Sequence, residues 1–172
     1  LPQGTFYVEP SFVPATLFLF GAGHVPRPTA ALASTLGFNT VVLDDRDEFA
    51  NRQRFPSASG IHVVDSYDDC MNQLGIDKHS YLVIISRGHR HDQTLLRQAV
   101  ATNAGYIGMI GSRGKRDKIY RNLLAEGVPQ QAIERVYSPI GIDIAAETPE
   151  EIAVSIVGEL IQVRARNQAH HA

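Results

Sequence analysis

Leu17-Phe18-Leu19-Phe20-Gly21-Ala22-Gly23 sets a short apolar run directly against a pair of glycines, and an alanine-containing segment, Thr29 to Leu36, follows. Successive side chains of a strand point to opposite faces, so a run apolar at every position predicts a strand covered on both sides. Gly37 closes the next segment as a helix C-cap, and Thr40-Val41-Val42-Leu43 is a second short strand that stops at Asp44-Asp45. This order of strand, glycine turn, helix, strand and carboxylate predicts the first unit of a three-layer, doubly wound parallel sheet, Rossmann-like α/β in class.

The alternation continues downstream. Ile61 to Val64 reads as a third strand, Ser66 to Leu74 as a short helix closed by Gly75, and Tyr81 to Ile85 as a fourth strand. Asp92 to Asn103 is a helix with Leu95, Leu96, Ala99 and Val100 on one side; Tyr106 to Ile110 is a fifth strand and Lys115 to Glu126 a further helix. Thr148-Pro149-Glu150-Glu151 supplies a capping Thr, a Pro at the first helical position and a Glu three residues on, so a capped C-terminal helix follows. Its Ile152, Ile156, Leu160 and Val163 recur every three or four residues and predict one buried face. The expected organisation is a proline-bearing lead-in over 1–16, a single domain over 17–166 and a tail over 167–172.

The glycine loop carries the chemistry. Gly21 permits a tight turn, Gly23 lets the backbone approach a pyrophosphate, and the following helix N-terminus favours an anion. Asp44 lies 23 residues beyond Gly21, where a carboxylate can accept both ribose hydroxyls of an adenosine moiety. Pro26 stands in place of the third glycine of G-x-G-x-x-G, and Pro28 close behind is expected to delay or distort the helix start. Arg46 has two readings: a partner for a 2′-phosphate, or a solvated loop arginine beside Asp45 and Asp47.

Two more loops belong to the same edge, because ligands of open α/β sheets sit beyond the carboxyl ends of the strands. Ser86-Arg87-Gly88-His89-Arg90-His91-Asp92 should face the Gly21 loop; His89, His91 and Asp92 are its candidate ligands or proton carriers, or Asp92 caps the next helix. Gly111-Ser112-Arg113-Gly114-Lys115-Arg116 suits a phosphate but is not a P-loop, since five residues separate Gly108 from Gly114 and Arg116 occupies the Ser/Thr position. A solvated basic helix face is the alternative. No catalytic residue and no metal ligand set is assigned; the two adjacent histidines of the tail are a weak metal signal.

A net charge of −2 and a pI near 6.4 give no reason to expect a nucleic-acid or membrane surface. The single cysteine, Cys70, fits a reducing cytoplasm and reads as a packing residue. The chain begins with Leu, as a processed chain or a piece of a longer protein does.

Four stretches together resemble the C-terminal domain of the xanthine dehydrogenase accessory proteins of the XdhC/CoxI type. They are Phe20-Gly21-Ala22-Gly23-His24-Val25, Val42 to Arg46 with Glu48-Phe49-Ala50, Tyr106 to Arg113, and Ser138 to Ile156. The resemblance runs from Leu17 to Arg166, with Pro26 where the family usually has a small residue. It implies delivery of molybdenum cofactor (molybdopterin) to a molybdenum hydroxylase such as xanthine dehydrogenase, and support for its sulfuration before insertion. A cysteine desulfurase and a second copy of the chain are further candidate partners, and the candidate cofactor-binding residues are Gly21 to Val25, Asp44 to Arg46, Ser86, His89, His91, Asp92 and Gly111 to Arg113. Whether the crevice holds NAD(P), the pterin cofactor or both stays open at this point. An NAD(P)-dependent oxidoreductase and an NAD(P)-sensing module are the competing readings; against the first, none of Tyr7, Tyr67, Tyr81, Tyr106, Tyr120 and Tyr137 has a lysine four residues on.

Overall fold

The computed structural model describes residues 14–169, the side chains of His89 and Ala169 excepted. In it the apolar run is β1 (Thr16–Phe20). Leu17 and Leu19 turn to one face and Phe18 and Phe20 to the other, and each pair enters a separate core. The first core lies under α1 (Pro26–Thr35) and α5 (Pro149–Ala169), the second under α2 (His89–Val100) and α3 (Arg113–Ala125). A strand apolar on both faces has therefore produced the three layers that bury it.

The sheet has six parallel strands in the order β3-β2-β1-β4-β5-β6, with β2 (Asn39–Asp44), β3 (Gly60–Val63), β4 (Ser80–Ile84), β5 (Tyr106–Met109) and β6 (Val136–Tyr137). The order reverses between β1 and β4, as expected for a doubly wound sheet. Phe20 pairs with Leu43 on one side and Ile84 on the other, so the exits of β1, β2 and β4 are level. That register puts the glycine loop, Asp44 and the Ser86 loop on one edge.

Several sequence expectations are corrected. The helix expected from Thr29 begins at Pro26, and Pro28 falls at its third position. The first helical N–H groups have no intrahelical partner, so neither proline disturbs the turn. Ser66 to Leu74 is not a helix: one 3₁₀ turn forms at Cys70–Gln73, after Asp69 at φ 55°. The Ser66 hydroxyl takes the Asp68 N–H at 3.0 Å and favours a turn over a helix there. Asp92 does not cap α2, which starts at His89; it lies in the first turn. Lys115 is likewise inside α3, capped by Ser112. The short α4 (Gln130–Glu134) and β6 were not anticipated. At the ends, β1 begins at Thr16, inside the expected lead-in, and α5 reaches Ala169, inside the expected tail; residues 1–13 and 170–172 lie outside the described residues.

The capping box of α5 forms as read. Thr148 Oγ1 accepts from the Glu151 N–H at 3.2 Å, and Glu151 Oε2 accepts from the Thr148 N–H at 3.0 Å. Thr148→Ala should lower stability by about 1 kcal/mol, measured as a shift of the urea midpoint with unchanged slope. No helix among the described residues is long and apolar enough to cross a membrane.

Candidate functional site

The loop leaving β1 is shaped by its neighbour. Gly21 has φ +124°, and a Cβ there would lie 2.1 Å from the Ile85 carbonyl oxygen. Only glycine fits that approach of the β1 and β4 exits. Gly23 is the opposite case: nothing lies within 4 Å of a Cβ built on it, so its face is open. The Gly21 N–H donates to Leu43 O at 2.7 Å and the Ala22 N–H to Asp44 Oδ2 at 2.7 Å. Among the described residues, no protein acceptor takes the N–H of Gly23, His24 or Val25. Proline removes the donor at positions 26 and 28 of α1. The free donors of this helix head are therefore the Arg27 N–H and those of the loop before it, Gly23 to Val25, where the dipole still favours an anion.

Asp44 ends β2 as expected, but it is buried and fully engaged. Oδ1 accepts from the Arg46 N–H at 3.1 Å and from Arg46 Nε at 2.8 Å; Oδ2 accepts from Ala22 N and from Arg46 Nη2 at 3.0 Å. Burial works to raise the Asp44 pKa, yet the Arg46 side chain and the Ala22 N–H outweigh it, and the carboxyl is held below its ordinary 3.8. A lowered folded pKa stabilises fully above the unfolded value, and the contribution goes as pH falls through the folded one. Acid unfolding below about pH 4 should therefore include this lock; Asp44→Asn should flatten that part of a stability–pH profile.

Arg46 pairs mainly with Asp44 and lies 3.6 Å from Asp45, so it is not a solvated arginine of the loop. Its guanidinium stacks 3.9 Å from the centre of the Phe49 ring, and Arg54 stands 4.9 Å from the same centre. Arg54 Nη2 donates to Ala22 O at 3.3 Å and to Gly23 O at 3.4 Å, while its Nε is buried without an acceptor. Arg54 was not anticipated; it is 31 residues from Gly23 in the chain, and a lone arginine in a polar loop gives no periodic signal. Beside it a groove of about 590 Å³ is lined by His24, Arg27, Arg54, Phe55, Pro149 and Glu150, among others.

The loops after β4 and β5 meet in a buried cluster. Asp92, at 0% exposure, accepts from the Ser86 hydroxyl at 2.5 Å and pairs with the Lys115 ammonium. A Cβ on Gly111 would lie 2.8 Å from Lys115 Cδ, so the glycine lets the lysine stem pass. Lys115, from the stretch read as suiting a phosphate, thus turns inward; Ser112 caps α3 by accepting its N–H at 3.3 Å, and Arg113 is exposed. His91 packs edge-on against Tyr67, with 5.2 Å between ring centres. No group of three His, Cys, Asp or Glu able to hold a metal ion occurs among the described residues. The structure therefore joins Gly21, Ala22, Asp44 and Arg46 in one set and Ser86 with Asp92 in another, while His91 and Arg113 join neither.

The stretch Ser138 to Glu147, whose role composition leaves unexplained, wraps onto α5. Glu159 Oε1 accepts from the Tyr106 hydroxyl at 2.5 Å and from the Gly141 N–H at 3.1 Å, and the Ser155 hydroxyl donates to Ile142 O at 2.6 Å. A Cβ on Gly141 would meet Ser155 Oγ at 2.3 Å, so the close seating requires that glycine.

Residues 17–160 match the model of the XdhC Rossmann domain. The chain belongs to the XdhC Rossmann-domain family. Among curated relatives, this XdhC domain is 35% identical over 150 residues to a probable xanthine dehydrogenase subunit of Bacillus subtilis (strain 168), covering 87% of the chain and 43% of that protein. It is 33% identical over 148 residues to the uncharacterized protein YqeB of Escherichia coli (strain K12), covering 86% of the chain and 27% of that protein. A crystal structure of a xanthine dehydrogenase from Bacillus halodurans superposes with a TM-score of 0.79 at 36% identity, covering 91% of this chain and 46% of that one. The XdhC domain thus spans less than half the length of these relatives.

Proposed function

We propose that this XdhC domain binds molybdenum cofactor and delivers it to a xanthine dehydrogenase-type molybdenum hydroxylase, supporting sulfuration and insertion rather than catalysing a reaction of its own. The observation that carries the reading is the open loop at Gly23, with the donors of Gly23, His24 and Val25 unused, in a chain of this family. A pterin cofactor carries an anionic phosphate, which suits backbone N–H groups at a helix head. Gly23 to Val25 would hold that phosphate, Arg27 and Arg54 would supply positive charge, and the groove gives room for the ring system. When bound, the cofactor would supply the molybdenum centre that the hydroxylase uses.

The protein's residues bind and release; they need no nucleophile or general base. Ser86, Asp92 and Lys115 fix the floor of the crevice, since their polar atoms are directed to one another. The names of two relatives, a xanthine dehydrogenase and a probable subunit of one, support a molybdenum hydroxylase as the partner. Sulfuration adds a cysteine desulfurase as a transient partner, and the setting is the cytoplasm. Native mass spectrometry of the protein purified from a host that makes molybdenum cofactor tests this. A co-purified pterin is the expected result; a protein carrying only NAD(P) would overturn the reading in favour of a dinucleotide module.

A further inference from the structure

An ionised carboxylate offers about four lone-pair positions, and at Asp44 all four are taken: two by the Arg46 N–H and Nε on Oδ1, two by the Ala22 N–H and Arg46 Nη2 on Oδ2. A carboxylate that reads a ribose must have positions left for the 2′ and 3′ hydroxyls. Here they open only if the Arg46 fork leaves, giving up a bidentate charge-assisted pair and its stacking on Phe49. Asp44 is 1% exposed, so its oxygens are closed to a hydroxyl approaching from solvent.

The neighbouring charge favours a different ligand. Arg54 shares the Phe49 ring with Arg46, is anchored on the carbonyls of Ala22 and Gly23, and has a buried Nε without an acceptor. The Arg54 guanidinium, held beside the open glycine by Nη2, places a positive charge there that favours an anionic ligand. The groove next to it presents His24, Arg27 and Arg54, with Glu150 as the acidic residue among those lining it.

We propose that Asp44 and Arg46 form a closed latch over the ribose-reading position, so that this site takes a phosphate or diphosphate ester by its anionic group and discriminates against adenosine dinucleotides. The inference deepens the cofactor-binding reading and rests on it for the identity of the ester. Selectivity here comes from filling the acceptor that a dinucleotide needs, not from removing the carboxylate. The charge of Arg54 then favours a ligand with phosphate oxygens near the loop.

Isothermal titration of the full chain with inorganic pyrophosphate and with NAD⁺ tests it. Wild type should bind pyrophosphate, and Arg54→Ala should weaken that binding by about tenfold or more. Arg46→Ala should raise the ratio of NAD⁺ to pyrophosphate affinity by at least about tenfold, and Asp44→Asn in the same chain should cancel the gain. Arg46→Lys keeps the cation but cannot fill both oxygens, so a smaller rise in the same direction is expected even if the alanine variant folds poorly. Tight NAD⁺ binding by wild type that Arg46→Ala weakens would overturn the latch. Absence of pyrophosphate binding would overturn the anionic seat. Molybdopterin retention measured on the same samples separates the two claims. Tight NAD⁺ binding with pterin retained defeats the latch alone; latch behaviour without pterin retained defeats the maturation reading alone.

Discussion

Lys115→Met is expected to lower the stability of the folded chain by about 3–5 kcal/mol, because it leaves the Asp92 carboxylate buried without its cation. Asp92 has no exposed surface, and the Lys115 side chain is only 16% exposed. What remains for the carboxylate is one hydrogen bond, from the Ser86 hydroxyl. A single neutral donor offsets little of the desolvation of a charge. The pair itself contributes far less than its rupture costs, so Asp92→Asn combined with Lys115→Met should recover much of the loss. Urea unfolding at neutral pH, with the two single variants and the double variant, reads both numbers. Equal stability of Lys115→Met and wild type would show that the carboxylate is reached by water and that the cluster is not the crevice floor.

Gly21→Ala is the second large effect, and it acts through the backbone. The φ of +124° is outside what an L side chain readily adopts, and the added methyl would lie 2.1 Å from Ile85 O and 2.7 Å from Ile85 C. Neither partner is a flexible side-chain end. The β1 and β4 exits must move apart, which breaks the Gly21 donation to Leu43 O and shifts Ala22 from Asp44. A loss of about 3 kcal/mol or more, or failure to fold, follows from backbone strain added to lost hydrogen bonds. The check is a denaturation midpoint together with the amide spectrum of Gly21 to Gly23. An unchanged midpoint would mean that the loop is not seated on Ile85 as described.

The sheet is legible because Leu17 to Phe20 are apolar at every position and because a glycine follows β1 and a carboxylate ends β2 at a Rossmann spacing. The start of α1 is not, because Pro28 reads as a helix breaker although the first turn needs no N–H from it. The segment at 66–74 contains helix-sized apolar spacing, but the Ser66 turn and the left-handed Asp69 override it. Elements of two and five residues, β6 and α4, are too short to show a period at all.

Within the site, residues fixed by local geometry can be read and those fixed by distant contacts cannot. Gly21 and Asp44 are placed by the strand ends they terminate. The reach of Arg54 to Ala22 and Gly23, and of Glu159 to Tyr106 and Gly141, depends on how layers pack. Lys115 misleads because a Gly-Ser-Arg-Gly-Lys stretch suits a phosphate by composition, while the buried Asp92 that turns the lysine inward lies on another helix.

In the proposed function, an anionic cofactor approaches the backbone at the open loop of Gly23. Gly23 is not in the left-handed region and a side chain there meets nothing within 4 Å, so Gly23→Leu should leave the urea midpoint in place while filling the space in front of the loop donors. The deciding measurement is gel filtration of wild type and Gly23→Leu after incubation with released molybdenum cofactor, with pterin fluorescence read on the protein peak. The expected result is pterin on wild type and none on the folded variant. Equal pterin on both, or none on wild type, would contradict the claim.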